Sequence, residues 1–392
     1  MPKVVTISDI AATRTTNTHG VRADVNGKEV WFESSTVNLR PAPEAFASAF
    51  LIPSIAARAR LELDAPVCSD WHEHFPQVLQ LIHEWWGYPQ IQPNLTVDPT
   101  PQAATTSQRS GLCFSGGVDS FFSLLRGDWP INMLIFVHGY DIALHDQARL
   151  DAFTTWLERI GQATDSIPVV VRTNLREHAS FASTVWSRTH GGALAAIGHL
   201  LSDHIDQLVI SSSYPFKDPH PWGTHWELDP LWSSARLQVR HYGAQYWRTE
   251  KLRAIASEPL VRENLRVCWK KLTSDLNCSR CEKCLRTQLV LLTCRQLERY
   301  TVFDQKTPLA ERIDTLPWID NAALLIVYQE FVKAGLPADV EKAVIRLIER
   351  STIEVENRQN YAIQQQENRL GQKLRTLLSP VFYAVQQIGK RL

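Results

Sequence analysis

The stretch that decides the reading is Ser110–Arg126, SGLCFSGGVDSFFSLLR. It opens with a short apolar run, Gly111 to Phe114. It passes through Phe114-Ser115-Gly116-Gly117-Val118-Asp119-Ser120 and continues as a helix from Asp119 to Arg126. Two adjacent glycines let backbone approach a bulky anion without Cβ clashes. Free amides at a helix start, serine hydroxyls and the helix dipole then favour phosphate at the same point. Asp119 is positioned to cap that helix start or to help hold Mg2+. The loop lacks the GxxxxGK followed by Ser or Thr of the common kinase loop, so no lysine within it bridges β and γ phosphates. Transfer of the γ-phosphoryl group is therefore disfavoured.

Working outward, strands and helices alternate. Ile131–Val137, Ile167–Arg172, Gln207–Ser211 and Leu237–His241 read as strands, and Asp146–Gln162 and Gly191–Ile205 as helices. Such alternation predicts a parallel sheet covered by helices on both faces. Ligands of such sheets bind at the carboxyl ends of strands, so the loops after Phe114, Val137, Arg172 and Ser211 should share the functional edge. Upstream, Lys28–Leu39 reads as strand, Pro43–Arg60 as a helix kinked or broken at Pro53, and Phe75–Trp86 as a second helix. Pro93–Ser110, rich in Pro, Thr, Ser and Gln, is the best linker candidate. The tail beyond Cys281 turns helical, over Ala338–Arg350 and Gln364–Leu378 among others. The expected fold class is α/β, a doubly wound parallel sheet with an N-terminal α+β domain (1–95), a linker (96–110), a central domain (111–295) and a helical C-terminal region (296–392).

A chain of 392 residues with 44% hydrophobic content has material for two or three domains. Its 41 basic and 41 acidic side chains balance, so no global charge draws it to nucleic acid or a bilayer. Met1–Val30 is polar and holds no apolar core of signal-peptide length, and no spanning helix is expected. A cytoplasmic location follows as an expectation. The tail Gln372–Leu392 is amphipathic and basic (Lys373, Arg375, Lys390, Arg391), in the manner of a packed or partner-binding helix or of one lying on a membrane surface.

Seven cysteines are present, and Cys268, Cys278, Cys281 and Cys284 fall within 17 residues. Four thiolates at that spacing suit a tetrahedral Zn2+, closed to water and hence structural. The CxxCxxC part alone also fits an iron–sulfur cluster. Lys283 and Arg286 are placed to offset thiolate charge. Cys113 on its strand should be a small buried hydrophobe, and Cys294 stands alone.

The loop matches, at every signature position, the SGGxDS of the PP-loop ATP pyrophosphatases, and the chain resembles that superfamily. The resemblance implies a HUP-like doubly wound fold and attack on the α-phosphate of ATP, with an adenylated intermediate and release of pyrophosphate. Together with the late four-cysteine cluster and Thr249-Glu250-Lys251 before it, residues 110–290 resemble the 7-cyano-7-deazaguanine synthases of the queuosine pathway. Those enzymes activate a carboxylate with ATP and let ammonia attack. The first 95 and last 100 residues have no counterpart there, and Ser211–Ser234 departs from them, so reaction type carries over better than substrate.

The resemblance implies ATP contacts from Phe114, Ser115, Gly116, Gly117, Val118, Asp119, Ser120, His138, Thr173 and Asn174, from loops that surround the adenosine. Ser115, Asp119, Ser120 and Lys251 are the catalytic candidates. Lys251 and Arg248 offer anion partners for an adenylate. The acceptor wall falls to the loop holding Lys217, Trp222, His225, Trp226, Asp229 and Trp232, where a histidine and an aspartate can move protons. The acceptor is unidentified: a small molecule, a modified base or a protein terminus. No glutaminase-type region is evident, so ammonia would be free or come from a partner protein, or the nucleophile is an amine. A sulfur-transferring, thiouridylase-like enzyme would need a cysteine at the nucleotide edge. A non-catalytic nucleotide-binding protein is the rival from another class. The N-terminal region leaves substrate docking and homodimer formation both open.

Overall fold

The computed structural model describes residues 3–98, 108–268, 276–319, 321–358 and 361. The stretches Gln364–Leu378 and Gln372–Leu392, and most of the linker expected at 96–110, lie outside them. The described residues form two compact units, one within Met1–Val267 together with Leu276, the other holding Cys268 and Asn277 onward. This division does not coincide with the boundaries expected from the sequence at 95 and 295.

The first unit is built on one nine-stranded sheet. Its elements are β1 (Lys3–Arg14), β2 (His19–Val25), β3 (Lys28–Ser34), α1 (Pro43–Ala56), β4 (Ala59–Leu63), α2 (Ser69–Trp86), β5 (Ser110–Cys113), α3 (Val118–Arg126), β6 (Met133–His138), α4 (Gln147–Thr164), β7 (Ile167–Thr173), α5 (Ala179–Ala182), α6 (Trp186–Leu200), β8 (Gln207–Ser211), β9 (Gln238–Tyr242), α7 (Arg248–Ile255) and α8 (Pro259–Asn264). The strands run β4-β1-β2-β3-β7-β6-β5-β8-β9. The stretch from β7 to β9 is wholly parallel. Numbered among themselves, its five strands run 3-2-1-4-5, so the order reverses between β5 and β8. A crevice opens at such a reversal, above the carboxyl end of the first strand. The loop at Ser115 leaves β5 at that place.

The N-terminal strands extend this sheet instead of closing a sheet of their own. β1, β2 and β3 form an antiparallel meander, β4 joins β1 in parallel, and β3 pairs antiparallel with β7 at Phe32–Thr173 and Glu33–Arg172. The start of the expected linker is also tied down, since the Val67 amide donates to the Thr96 carbonyl and the Asp98 amide to the Val67 carbonyl.

All six residues of β6 are buried, as a strand covered on both faces requires. α1 is buried from Glu44 to Ile55 and continues through Pro53 for one more turn. Pro53 forfeits one helical hydrogen bond, and close packing on α6 outweighs that loss. The contact depends on Gly192 of α6, and its neighbour Gly191 admits the loop at Gly223. A Cβ on Gly192 would stand 2.2 Å from the Ser48 carbonyl oxygen of α1, and one on Gly191 would stand 1.8 Å from that of Gly223.

The second unit is helical, with α9 (Glu282–Thr293), α10 (Leu309–Asp314), α11 (Ala322–Lys333) and α12 over residues 338–358. α9 packs against α10 and α11.

A candidate nucleotide-binding edge and a four-cysteine centre

β5 stops at Cys113, but Phe114 still donates to the Ile135 carbonyl of β6 at 2.8 Å, which carries the turn to the sheet edge. Gly116 follows at φ +73°, and a Cβ there would meet the Trp156 ring at 2.3 Å, so both conformation and space demand glycine. Gly117 is extended and is the N-cap of α3, with no side chain to cap it. The Phe121 amide makes the first helical bond, to the Gly117 carbonyl. The amides of Val118, Asp119 and Ser120 therefore precede the helical ladder, the arrangement that attracts anions. The Ser120 hydroxyl donates back to the Gly117 carbonyl at 3.1 Å and stiffens the turn. Phe114 and Val118 are buried, and Phe114 stacks on Trp156, so these two shape the loop from below.

Three cations from distant sequence converge on this turn. Arg248 and Lys251, on α7, reach the two Asp119 carboxylate oxygens at 3.2 and 3.3 Å. Lys251 is 1% exposed and also donates to the Ser212 carbonyl at 2.6 Å. Burial pulls its ammonium down from the usual lysine range, and Asp119 works against that fall. The Arg266 amide donates to the Gly116 carbonyl at 2.8 Å, and its guanidinium to the Ser115 carbonyl at 3.2 Å. That guanidinium also lies over the Phe153 ring. Arg248 and Lys251 meet the Asp119 carboxylate, while Arg266 holds the loop backbone at Ser115 and Gly116. Asp119 does not cap α3; both its oxygens face cations instead.

The residues expected around adenosine have other partners. His138 is buried, with Nε2 at 2.9 Å from the Ala143 carbonyl, and burial lowers its affinity for a proton. Thr173 is fully buried and accepts from the Leu175 amide. Asn174 accepts from the Trp31 amide and donates to the Glu29 carbonyl, each at 2.9 Å, which prolongs the β3–β7 contact by a side chain. The loop after β7 thus serves the added N-terminal strands, which the sequence did not place beside it.

In the loop between β8 and β9, Asp229 is fully buried. Its ring partner is His241 of β9, with Nδ1 to Oδ2 at 2.7 Å, and His225 meets it through its backbone, not its ring. His225 stacks on Trp226 and contacts the Trp85 ring. Trp232 is core, and Lys217 is exposed. Cys113, expected to be buried, keeps partial exposure, and its thiol is nonetheless pushed up to about 12 by its protein surroundings. Arg266 and His241 stand at this edge without any motif to mark them.

In the second unit the sulfurs of Cys268, Cys278, Cys281 and Cys284 lie within 4.8 Å of one another. Cys268–Cys281 are 4.0 Å apart and Cys278–Cys284 3.9 Å. A tetrahedron with metal–sulfur bonds of about 2.3 Å has edges of about 3.8 Å. The set therefore fits one four-coordinate ion. A cluster whose thiolates bind separate irons needs a wider square of sulfurs. Ser279, at φ +61°, bends the knuckle, and Cys281 starts α9 and donates its amide to the Cys278 sulfur at 3.3 Å. The Cys281 thiol is lowered to about 5 by hydrogen bonds from the neighbouring thiols, first Cys284, while the Cys278 and Cys284 thiols are raised. Gln288 donates to the Ser279 and Cys284 carbonyls and accepts from buried Arg312. Arg286 instead pairs with Glu282.

Comparison of the chain with family models, with curated proteins and with solved structures finds no match in any of the three. Among the described residues no helix is long and apolar enough to cross a membrane.

Proposed function

We propose that this chain binds ATP at the Ser115–Ser120 loop and cleaves it between the α and β phosphates, giving AMP and pyrophosphate while adenylating an acceptor oxygen. The reading rests on one observation: a Ser-Gly-Gly turn whose helix-start amides precede the helical ladder stands at the reversal point of a parallel sheet, with Arg248, Lys251 and Arg266 gathered around it. The resemblance to the PP-loop ATP pyrophosphatases and to their HUP-like sheet points the same way. The amides of Val118, Asp119 and Ser120 and the Ser115 hydroxyl would hold the β and γ phosphoryl groups. Lys251 and Arg248, released in part from Asp119, would neutralise charge growing on the departing pyrophosphate. Such fixed charges in a half-dry site supply most of the rate in phosphoryl and nucleotidyl transfer. The acceptor carboxylate or carbonyl oxygen attacks the α phosphorus. The bond to the β-phosphate oxygen breaks, and its electron pair leaves with pyrophosphate. An amine or ammonia then displaces AMP, as in the deazaguanine synthases the chain resembles. Mg2+ would accompany the nucleotide.

We read the four-cysteine centre as a structural zinc site. Its sulfur spacing suits that ion, and reduced thiols fit a cytoplasmic setting. Sulfur transfer is the weaker reading, because the cysteine nearest the loop, Cys113, has a thiol held far from ionisation at neutral pH.

The test uses α- and γ-labelled ATP with Mg2+, ammonium and a panel of carboxylic acids, beside calorimetry with inorganic pyrophosphate. AMP and pyrophosphate in equal amounts support the proposal. Release of ADP and phosphate, or pyrophosphate affinity unchanged by Arg266→Ala, overturns it.

A further inference from the structure

Among the described residues one lysine and one arginine are buried, Lys251 and Arg312. Lys251 faces the Asp119 carboxylate. Arg312, on α10 of the second unit, is 4% exposed and makes no ion pair with a carboxylate among the described residues. A buried charge without an opposite charge is costly, which directs attention to what balances it. Burial pulls its guanidinium down from the usual arginine range, and Asp304 and the Cys284 thiolate act against that fall. Asp304 Oδ1 already accepts from the amides of Lys306 and Thr307.

The side chain is anchored to the cysteine knuckle. Its Nη1 donates to Gln288 Oε1, and Gln288, fully buried, donates to the carbonyls of Ser279 and Cys284. Its Nε is buried and has no hydrogen-bond partner among the described residues. The cysteines in turn call for a cation. Four thiolates around one divalent ion leave two net negative charges, and the sulfurs of buried Cys281 and Cys284 belong to that set. Arg286, which the sequence offers for this task, is bonded to Glu282, and Arg280 is exposed.

We propose that Arg312 is the counter-charge of the four-cysteine centre: anchored through Gln288, it offsets the negative charge that four thiolates leave on a bound zinc ion and makes those sulfurs poorer nucleophiles. The assignment rests on the zinc reading of this centre and is independent of the nucleotide reading. A guanidinium suits the place, since it is permanently charged and weakly hydrated. Groups behind the ligands of a metal commonly set its affinity and the basicity of those ligands. A zinc-bound thiolate keeps a lone pair that can attack iodoacetamide. The C–S bond forms as the C–I bond breaks, and iodide leaves with its electrons. A cation beside the sulfurs stabilises them before attack more than after it, so it slows that step.

The experiment compares the zinc-loaded full chain with Arg312→Met, Arg312→Lys and the exposed control Arg346→Met. Zinc affinity is read by competition with a chromogenic chelator, and sulfur reactivity by the rate of alkylation with iodoacetamide. Arg312→Met should bind zinc about 10–100-fold more weakly and alkylate faster. Arg312→Lys should keep most of both properties, and Arg346→Met should change neither. A methionine variant with wild-type affinity and rate overturns the proposal. Equal losses in the methionine and lysine variants also overturn it, because Arg312 would then act through its bond to Gln288 and not through its charge. Should Arg312→Met fail to fold with zinc, the lysine variant decides. Wild-type affinity and rate support the counter-charge, and a loss as large as that of Gln288→Leu overturns it. Elemental analysis separates the two readings: a wild-type chain without zinc refutes the zinc site itself, whereas bound zinc with an indifferent methionine variant refutes the counter-charge alone.

Discussion

The four-cysteine centre is a closed shell and the Ser115–Ser120 loop is an open one. In the centre, every ligand lies within 17 residues of chain, the sulfurs face one another, and Asn277, Gln288 and Arg312 tie the backbone around them. Around the loop, the motif supplies only amides and a hydroxyl, while the charges arrive from α7 and from Arg266, more than a hundred residues later. A closed shell can be held by one ion. An open edge must be held by the packing of the whole sheet, with its polar groups left free for something that comes and goes. The two regions should therefore fail differently.

The sharpest separation comes from metal removal. A strong chelator, or Cys281→Ser, should strip one ion per chain and unfold the second unit, because structural zinc binding is worth about 10–16 kcal/mol. Elemental analysis and limited proteolysis read this, with cleavage confined to residues beyond Cys268. Equal loss of the first unit would break the contrast. Next in size is Asp119→Ala, which leaves Lys251 buried with only one of its two acceptors, the Ser212 carbonyl. Removing one partner of a buried pair costs about 3–5 kcal/mol, so urea unfolding of the first unit should shift by that amount while metal content holds. Lys251→Met should cost less stability and still abolish nucleotide turnover, which separates folding from chemistry at one site.

Acid supplies a third separation. All 13 histidines precede Cys268. His199 is 2% exposed and bonds the Trp232 carbonyl, and burial lowers it to about 4 against an ordinary 6.5. Between those values the unfolded chain binds a proton that the folded one refuses. His199 therefore lowers stability progressively as pH falls from 6.5 to 4, by about 3 kcal/mol at the end of that window. Urea midpoints followed by tryptophan fluorescence should show this slope, and His199→Gln should remove about one proton's worth of it.

What could be read beforehand follows the same divide. β5, β6 and β8 announced themselves because each is a short buried run, and Gln207–Ser211 falls where the sequence set it. β1 and β2 went unseen. β1 shows one face to solvent, buries only Val5 and Ile7, and breaks register between Ser8 and Ala11, so its alternation is too weak to notice. Thr173 and Asn174 are named from the resemblance; in the fold Thr173 is buried and Asn174 is bonded to β3, partners that the sequence does not reveal. The loop and the cysteines were legible because their residues are contiguous. Arg266 and His241 were not, since a lone arginine or histidine has no spacing to betray it. Both gain meaning only from what lies beside them in the fold: the Gly116 carbonyl for one, the Asp229 carboxylate for the other.

The smallest effect tests the claim that the open edge depends on remote packing. Gly192 lies on α6, where its missing Cβ lets the helix approach the Ser48 carbonyl of α1. Gly192→Ala needs the two helices to part by about 1 Å, and overpacking of this kind costs about 1–3 kcal/mol. α6 also carries Gly191, which borders Asp229 Oδ1, so the displacement should reach the β8–β9 loop. The expected outcome is a lower melting temperature for the first unit, weaker pyrophosphate binding in proportion, and an unchanged metal stoichiometry. If melting falls and pyrophosphate affinity does not, the loop holds its shape locally, as the cysteine knuckle does, and the distinction between the two regions shrinks to one of exposure.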